Sequence, residues 1–394
     1  MSSATTDWTA LVDRTVPGAV ERELSGALPT DVLAELKQAG IGALRVPVEF
    51  GGRGLNWAEI IPIWIDLAAA DANLAQALRG HFTFVEDVLF RHRRGSDQRR
   101  WFERFVAGEI VGNAWTETGS TAIGDLQTVV RPAGDHYVLN GRKFYTTGTV
   151  FAEWADVYAR LETGDGYTDV VALVDTRQPG VRVHNDWDGF GQRGTGSGTT
   201  EFSDARVESD DVLPFAERHP YQTALYQVNL IATMAGITRA VHRDVVAEVR
   251  ARTRNYSHAN TSRVRDDAQV LGLVGEISAA AYTAETVAIR AATALDVAAD
   301  ASDAELQQAT ESAELESTAA QITVSRLVLE SASDLFDALG ASATATSRAL
   351  DRHWRNARTV ASHNPRLFKA RVLGAYDVNG TPPPYAWSIG TTKA

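Results

Sequence analysis

The sequence predicts an α+β chain in three successive parts: a helical domain over residues 1–112, a β-barrel-like domain over 113–215 and a four-helix bundle domain over 216–394. Three observations predict it. Apolar residues recur at helical spacing up to about Gly112. The period then changes to alternation, punctuated by Gly, Pro and Asp, for about 100 residues. From Pro220 onward helical spacing returns and persists.

In the first part, read as helical from Asp7, the residues Val32, Leu33, Leu36 and Ala39 share a helix face, with Thr30 as N-cap and Gly40 as stop. Further helices are expected over 57–70 and 98–107. In the second part, residues 136–140 alternate, Asn140-Gly141 is a tight-turn signal, and 142–147 resume the alternation, which predicts a hairpin. Short strands are expected at 169–175, 181–184 and 199–202. In the third part, Val270, Leu273, Val274 and Ile277 repeat at helical spacing, as do Ile322, Leu329 and Phe336 more loosely. Two long, largely buried helices are expected there, over 266–298 and 302–339. The acidic stretch 300–316 reads as a solvated face.

A net charge of -12 and a pI near 5.3 argue against a nucleic-acid-binding surface, which needs clustered Lys and Arg. The chain has no cysteine, which excludes thiolate chemistry and disulfides and fits a reducing compartment. The N-terminus lacks a basic segment followed by an apolar run, and no stretch approaches the roughly 18 apolar residues of a membrane span. A cytoplasmic protein with no membrane partner is expected.

Gly189-Phe-Gly191-Gln-Arg-Gly194 matches the spacing of a dinucleotide fingerprint, but the residues that follow are Gly-rich and then strand-like. The fingerprint works by seating a pyrophosphate on a helix N-terminus, so the match is discarded. No HExxH pair, EF-hand loop or nucleophile elbow is present, so no metal is expected and the chemistry is assigned to a bound cofactor.

Four segments carry a resemblance that spans nearly the whole chain. They are Val46-Pro-Val-Glu-Phe-Gly-Gly52, Trp115-Thr116-Glu117, Asn140-Gly-Arg-Lys-Phe-Tyr-Thr-Thr-Gly148 and Arg352-His-Trp-Arg-Asn-Ala-Arg358. In that order they resemble the acyl-CoA dehydrogenase superfamily. Trp187-Asp-Gly-Phe-Gly-Gln-Arg193, Arg355-Asn-Ala-Arg-Thr-Val-Ala-Ser-His-Asn-Pro365, Lys369 and Asn379-Gly-Thr-Pro-Pro383 resemble its dibenzothiophene monooxygenase-like branch. Setting Arg355-Asn-Ala-Arg358 on the corresponding dehydrogenase helix puts Ser347 where many members carry their base glutamate, and serine cannot be that base.

The resemblance implies a two-component flavin-dependent monooxygenase. A separate NAD(P)H:flavin reductase supplies reduced FMN, with FAD as the alternative. O2 reacts to a C4a-hydroperoxyflavin, and a small hydrophobic or heteroatom-bearing substrate is oxygenated at sulfur or nitrogen. A homotetramer is implied as well. The competing readings are an acyl-CoA dehydrogenase with a displaced base and a catalytically silent flavin-binding scaffold.

For the site, the resemblance implies His363 as the group assisting oxygen activation, because imidazole can serve as acid or base near neutral pH. The branch often carries another histidine where this chain has Val360. His81 resembles a substrate-pocket histidine, with a satisfied core histidine as the alternative. Asn113 and Thr147 are expected to hydrogen-bond the flavin and its oxygen adduct, with Thr146 replacing Thr147 if the register slips. Tyr145 and Trp187 are expected against the ring. Arg254 is expected at the flavin phosphate, where a guanidinium suits a dianion, with Arg193 and Ser342 assisting across a subunit boundary. Arg355 and Arg358 are expected in structural ion pairs.

Overall fold

The computed structural model describes residues 8–119, 126–164 and 166–384; Asp7 lies outside them. The first part forms α1 (Trp8–Asp13), α2 (Val16–Ser25), α3 (Thr30–Gln38), α4 (Trp57–Ala70), α5 (Ala72–Arg93) and α6 (Arg99–Val106). In α4, Asn56 and Glu59 form a reciprocal capping box, which satisfies two of the N–H groups a helix start leaves orphaned. Thr30 is the first residue of α3 rather than its cap; Pro29 holds the cap position without a side-chain bond. Gly40, at φ +88°, terminates the turn as expected.

The second part forms β1 (Val111–Ala114), β2 (Val129–Ala133), β3 (His136–Lys143), β4 (Trp154–Thr163), β5 (Gly166–Asp175), β6 (Val181–Val183), β7 (Thr200–Glu208) and β8 (Val212–Pro214). They make one eight-stranded sheet in the order β6-β7-β3-β2-β4-β5-β8, with β1 parallel to β4. The hairpin expected at Asn140-Gly141 is corrected by this register. Residues 136–143 are one strand, and Gly141 marks an irregularity in its pairing with β7. The reversal comes earlier, where Ala133 pairs with His136 around Gly134 at φ +77°. Asn-Gly tolerates a bulge as readily as a turn, because a bulge also needs backbone that a side chain would obstruct. At Gly141 a Cβ would meet Thr128 at 2.5 Å.

The third part forms α7 (Gln222–Ala251), α8 (Ala268–Asp300), α9 (Leu306–Leu339), α10 (Arg352–Ser362) and α11 (Arg366–Asn379). The first three pack mutually, α10 lies on α7 and α9, and α11 lies on α9. One apolar core joins this bundle to the N-terminal helices, running from Leu33, Trp57 and Trp64 to Leu225, Ala288 and Leu335. The β domain keeps its own core around Val130, Leu139, Val157 and Phe202. Burial of α8 and α9 is one-sided within the chain: Ala281, Ala284, Ala288 and Ala291 are sealed, whereas Tyr282 is 74% exposed. The acidic stretch is mostly solvated as expected, except Glu314, which is buried and accepts from Lys369 Nζ at 2.8 Å.

The helix α5 positions the site. It is buried from Ala72 to Leu89 and packs on α4, α7 and β1, so polar side chains on it must find partners inside the molecule. Gly80 permits the approach of β1, since a Cβ there would lie 2.9 Å from Asn113 Cβ.

Candidate active site

Residues 145–148 leave β3 and cross to α5. Tyr145 takes the left-handed conformation at φ 57° and stays half exposed, its ring edge-on to Trp187 at 5.7 Å. The Trp187 indole donates to Gly191 O at 3.0 Å, which fixes its plane. Thr146 turns inward: it is fully buried, donates to Gly198 O at 2.9 Å and accepts from Thr200 Oγ1 at 2.8 Å. Thr147 turns the other way and meets Ser197 Oγ at 2.7 Å.

Thr195 Oγ1 donates to the Gln192 carbonyl at 2.8 Å, which uses its one proton, so across 2.7 Å it accepts from Ser197. Ser197 has then spent its proton and accepts from Thr147. Thr147 is left with lone pairs, and therefore offers an acceptor for an N–H donor.

Asn113, on β1, is held through its backbone: its N–H donates to Thr147 O at 3.1 Å and its carbonyl accepts from Thr149 Oγ1 at 3.2 Å. Its side-chain amide donates, over a long 3.4 Å, to the Tyr226 hydroxyl on α7. Burial pushes that phenol up to about 12, so it is protonated near neutral pH. The Arg79 guanidinium lies over the Tyr226 ring at 4.9 Å and places Nη2 3.0 Å from His363 Nε2.

A guanidinium has only donors, so His363 Nε2 accepts and its proton sits on Nδ1, which faces Asn364 Oδ1 at 3.2 Å. Asn364 in turn donates to Gln227 Oε1 at 2.8 Å. Crowding by protein, followed by the charge of Arg79, holds the imidazole down to about 3. His363 is therefore neutral at neutral pH.

The structure therefore brings Asn113, Thr147 and His363 into one network, with Tyr145 and Trp187 on its Thr147 side. It does not bring His81 there. His81 is sealed beneath α6, its Nε2 donating to Gly42 O at 2.9 Å and its Nδ1 accepting from Val111 N–H at 3.2 Å. Both ring nitrogens are used by backbone and Phe105 abuts the ring at 5.1 Å, so His81 is a satisfied core histidine and no nitrogen remains for a substrate.

Arg254 and Ser342 also stand apart from the network. They share a depression at the C-terminal ends of α7 and α9 with Arg252, Tyr256 and Arg348. Ala251, at the end of α7, is 25 residues beyond Tyr226, or roughly 37 Å along the helix at about 1.5 Å per residue. Arg193 is exposed, with its guanidinium beside Gly26 at the end of α2. Ser347 lies on an exposed turn ahead of α10, and Val360 is buried in the core. Arg355 makes the expected ion pairs, with Glu23 at 2.5 Å and Asp351 at 2.8 Å, whereas Arg358 instead donates to Ser362 Oγ.

Arg79, Tyr226, Ser197, Gln227 and Asn364 were not anticipated as site residues. The signal for Arg79 was its place in the run Ala75-Gln-Ala-Leu-Arg-Gly-His-Phe82, where a fixed charge interrupts small and apolar residues. For a flavin the network offers an indole and a phenol beside a hydroxyl acceptor and an amide, the groups a flat ring with polar edges needs. Its phosphate would need Arg193 or a cation from outside the network.

Comparison with known proteins agrees with this architecture. The N-terminal, middle and C-terminal domains of acyl-CoA dehydrogenase match residues 7–109, 112–205 and 229–365. A probable FMNH2-dependent monooxygenase, SfnC, of Pseudomonas putida is 28% identical over 93% of this chain and 92% of its own. The structure of methanesulfinate monooxygenase MsuC from Pseudomonas fluorescens superposes with a TM-score of 0.87, at 27% identity over 97% and 99% of the two chains. FMN-bound TdsC from Paenibacillus sp. A11-2, a dibenzothiophene monooxygenase, gives 0.86 at 26% identity over 96% and 98%. With all three domains matched in order and full-length likeness to these oxygenases, the chain belongs to the acyl-CoA dehydrogenase family, in its dibenzothiophene monooxygenase-like branch of flavin-dependent monooxygenases.

Proposed function

We propose that this chain binds reduced FMN made by a separate NAD(P)H:flavin reductase and transfers one atom of O2 to sulfur in a small organic substrate. The second oxygen leaves as water. Bound reduced FMN supplies the two electrons and the site of oxygen activation. The chain's own residues orient the ring and substrate and exclude water. Thr147 would accept from an N–H of the ring, Asn113 would bond its polar edge, Trp187 and Tyr145 would lie against it, and His363 would present a neutral imidazole beside them.

The observation that carries this reading is the chemistry of the converging groups. Among the described residues the network consists of hydroxyls, amides, a neutral imidazole and a guanidinium, with no carboxylate in it. Thioester dehydrogenation needs a base for the α-proton. His363, its basicity lowered and its Nε2 already accepting from Arg79, is a poor one.

A separate reductase is favoured because Gly189–Gly194 lies in the connection between β6 and β7, with no helix to seat a nicotinamide pyrophosphate. A homotetramer is favoured by the distance of Arg254 and Ser342 from Thr147, which a second copy would bring to the flavin phosphate. The apolar Leu271, Tyr282 and Ile289, spaced 11 and 7 apart on the solvent side of α8, support it. No described helix is long and apolar enough to cross a membrane; we place the enzyme in the cytoplasm, beside the reductase it depends on.

The test is oxygen labelling. The protein, a flavin reductase, NADH, FMN and labelled O2 are incubated with thioether, sulfone and sulfinate probes. Label in an oxygenated product, coupled to NADH use above the reductase blank, is expected. Bleaching of bound oxidised flavin by acyl-CoA, without labelled product, would replace this reading with the dehydrogenase one.

A further inference from the structure

Arg79 is 4% exposed and cannot shed its charge near neutral pH. The other buried arginines set a contrast. Arg45 pairs with Glu86 at 2.8 Å, and Arg218 pairs with Asp87 and Asp156. Arg79 has no carboxylate within salt-bridge distance among the described residues. Its contacts are the neutral His363 ring and the Tyr226 face, and its Nε–H has no acceptor. Burying an unpaired charge is costly, so a fold that retains one in its active-site network has a use for it.

A second group points the same way. Gln227 is 1% exposed; its carbonyl accepts from Asn364, the neighbour of His363, while its Nε2 has no partner. Two buried donors with unspent protons, one of them charged, thus lie at the two ends of the His363–Asn364 pair, Arg79 against His363 Nε2 and Gln227 against Asn364. An oxoanion has oxygens enough for both. A cationic amine would be repelled, and a neutral aromatic would leave the guanidinium uncompensated.

We propose that Arg79, seconded by Gln227, anchors a negatively charged head group, so that the substrate is a small organic oxoanion such as a sulfinate. This rests on the monooxygenase reading. The reaction then balances as RSO2− + O2 + FMNH2 → RSO3− + FMN + H2O: an S–O bond forms, the O–O bond breaks, and sulfur and FMNH2 each give up two electrons.

The experiment is calorimetric titration of the protein loaded with oxidised FMN, which holds the site without turnover. The probes are benzenesulfinate, methyl phenyl sulfone and benzylamine. A charge-assisted bond predicts sulfinate binding roughly tenfold to a hundredfold tighter than the sulfone, with benzylamine weakest. In Arg79→Gln the preference disappears; in Arg79→Lys part of it survives, and FMN affinity stays unchanged in both. Arg79→Met, freed of an unpaired buried charge, melts higher than the parent in the absence of ligand.

Equal affinity for sulfinate and sulfone would overturn the proposal. So would a loss of FMN affinity in Arg79→Gln equal to the loss of sulfinate affinity, which would assign Arg79 to the cofactor, or a lowered melting point in Arg79→Met, which would make it a packing element. Sulfinate binding that depends on Arg79, without labelled product from any probe, would sink the oxygenase reading and leave the anion site standing.

Discussion

A Cβ built on Gly148 would sit 2.1 Å from the carbonyl oxygen of Ala77, and Gly148 itself holds φ +80°. The contact joins the loop after β3 to α5, one residue from Thr147 and two from Arg79. Both sides of the network therefore depend on one residue without a side chain. Gly148→Ala should cost about 2–3 kcal/mol or displace the loop, because positive φ and overpacking both oppose alanine. Thermal melting and FMN titration on the same protein check this; unchanged values in both would mean the loop is not held as described.

His363→Ala should leave FMN affinity near the parent value and lower product formation by about tenfold to a thousandfold, in the range of losing one positioned hydrogen-bonding or proton-transfer group. Coupling of NADH consumption to product should fall as well, with the balance released as hydrogen peroxide. Unchanged, fully coupled turnover would remove His363 from the reaction.

How far the sequence foretold the site depended on whether a residue's role was local. The strand-and-glycine run ending at Gly148 and the Arg355-Asn-Ala-Arg358 helix are contiguous, and they pointed to Thr147 and His363, which the fold brings into one network, and to Tyr145 beside it. Arg79 stood out in the sequence only as a fixed charge in an apolar run; its contact with Tyr226 across α5 and α7 could not be read from spacing along the chain. His81 was misleading because an apolar helix surrounds a pocket histidine and a core histidine alike. What decides between them is Gly42 O and Val111 N–H, supplied by distant backbone. Asn140-Gly141 was misleading because the same dipeptide serves a turn or a bulge, and the pairing of β3 with β7 decides which.

The buried His81 also sets a pH dependence. Burial holds it down to about 4, below its ordinary value near 6.5. Above 6.5 it is neutral in both folded and unfolded states. Between 6.5 and 4 the unfolded chain binds a proton that the folded one refuses, so stability falls as pH falls through that window, and this loss levels off below 4. The effect amounts to about 3 kcal/mol at most. His353, lowered to about 4 as well, adds to the slope. Denaturant unfolding of the parent and of His81→Gln, which can keep the bond to Gly42 O without titrating there, should give a shallower acid slope for the variant. Parallel slopes would show that His81 is protonated in the fold.

Arg254 offers the sharpest test of shared sites. Within one chain it lies beyond the far end of α7 from Tyr226, so it can meet a flavin at Thr147 only if a second copy presents it. Arg254→Ala should weaken FMN binding, and Thr147→Val should lower turnover, each alone leaving little activity. Unfolded together in equal amounts and refolded, the two variants should form hybrids in which about a quarter of the sites pair an intact Thr147 with an intact Arg254 from the neighbouring chain. Activity should rise in the mixture toward that fraction of the parent value, and light scattering should show an oligomer. If Arg254 acted on its own chain's flavin, every site would carry one defect and mixing would restore nothing; if Arg254 did not touch the cofactor, Arg254→Ala alone would bind FMN as the parent does.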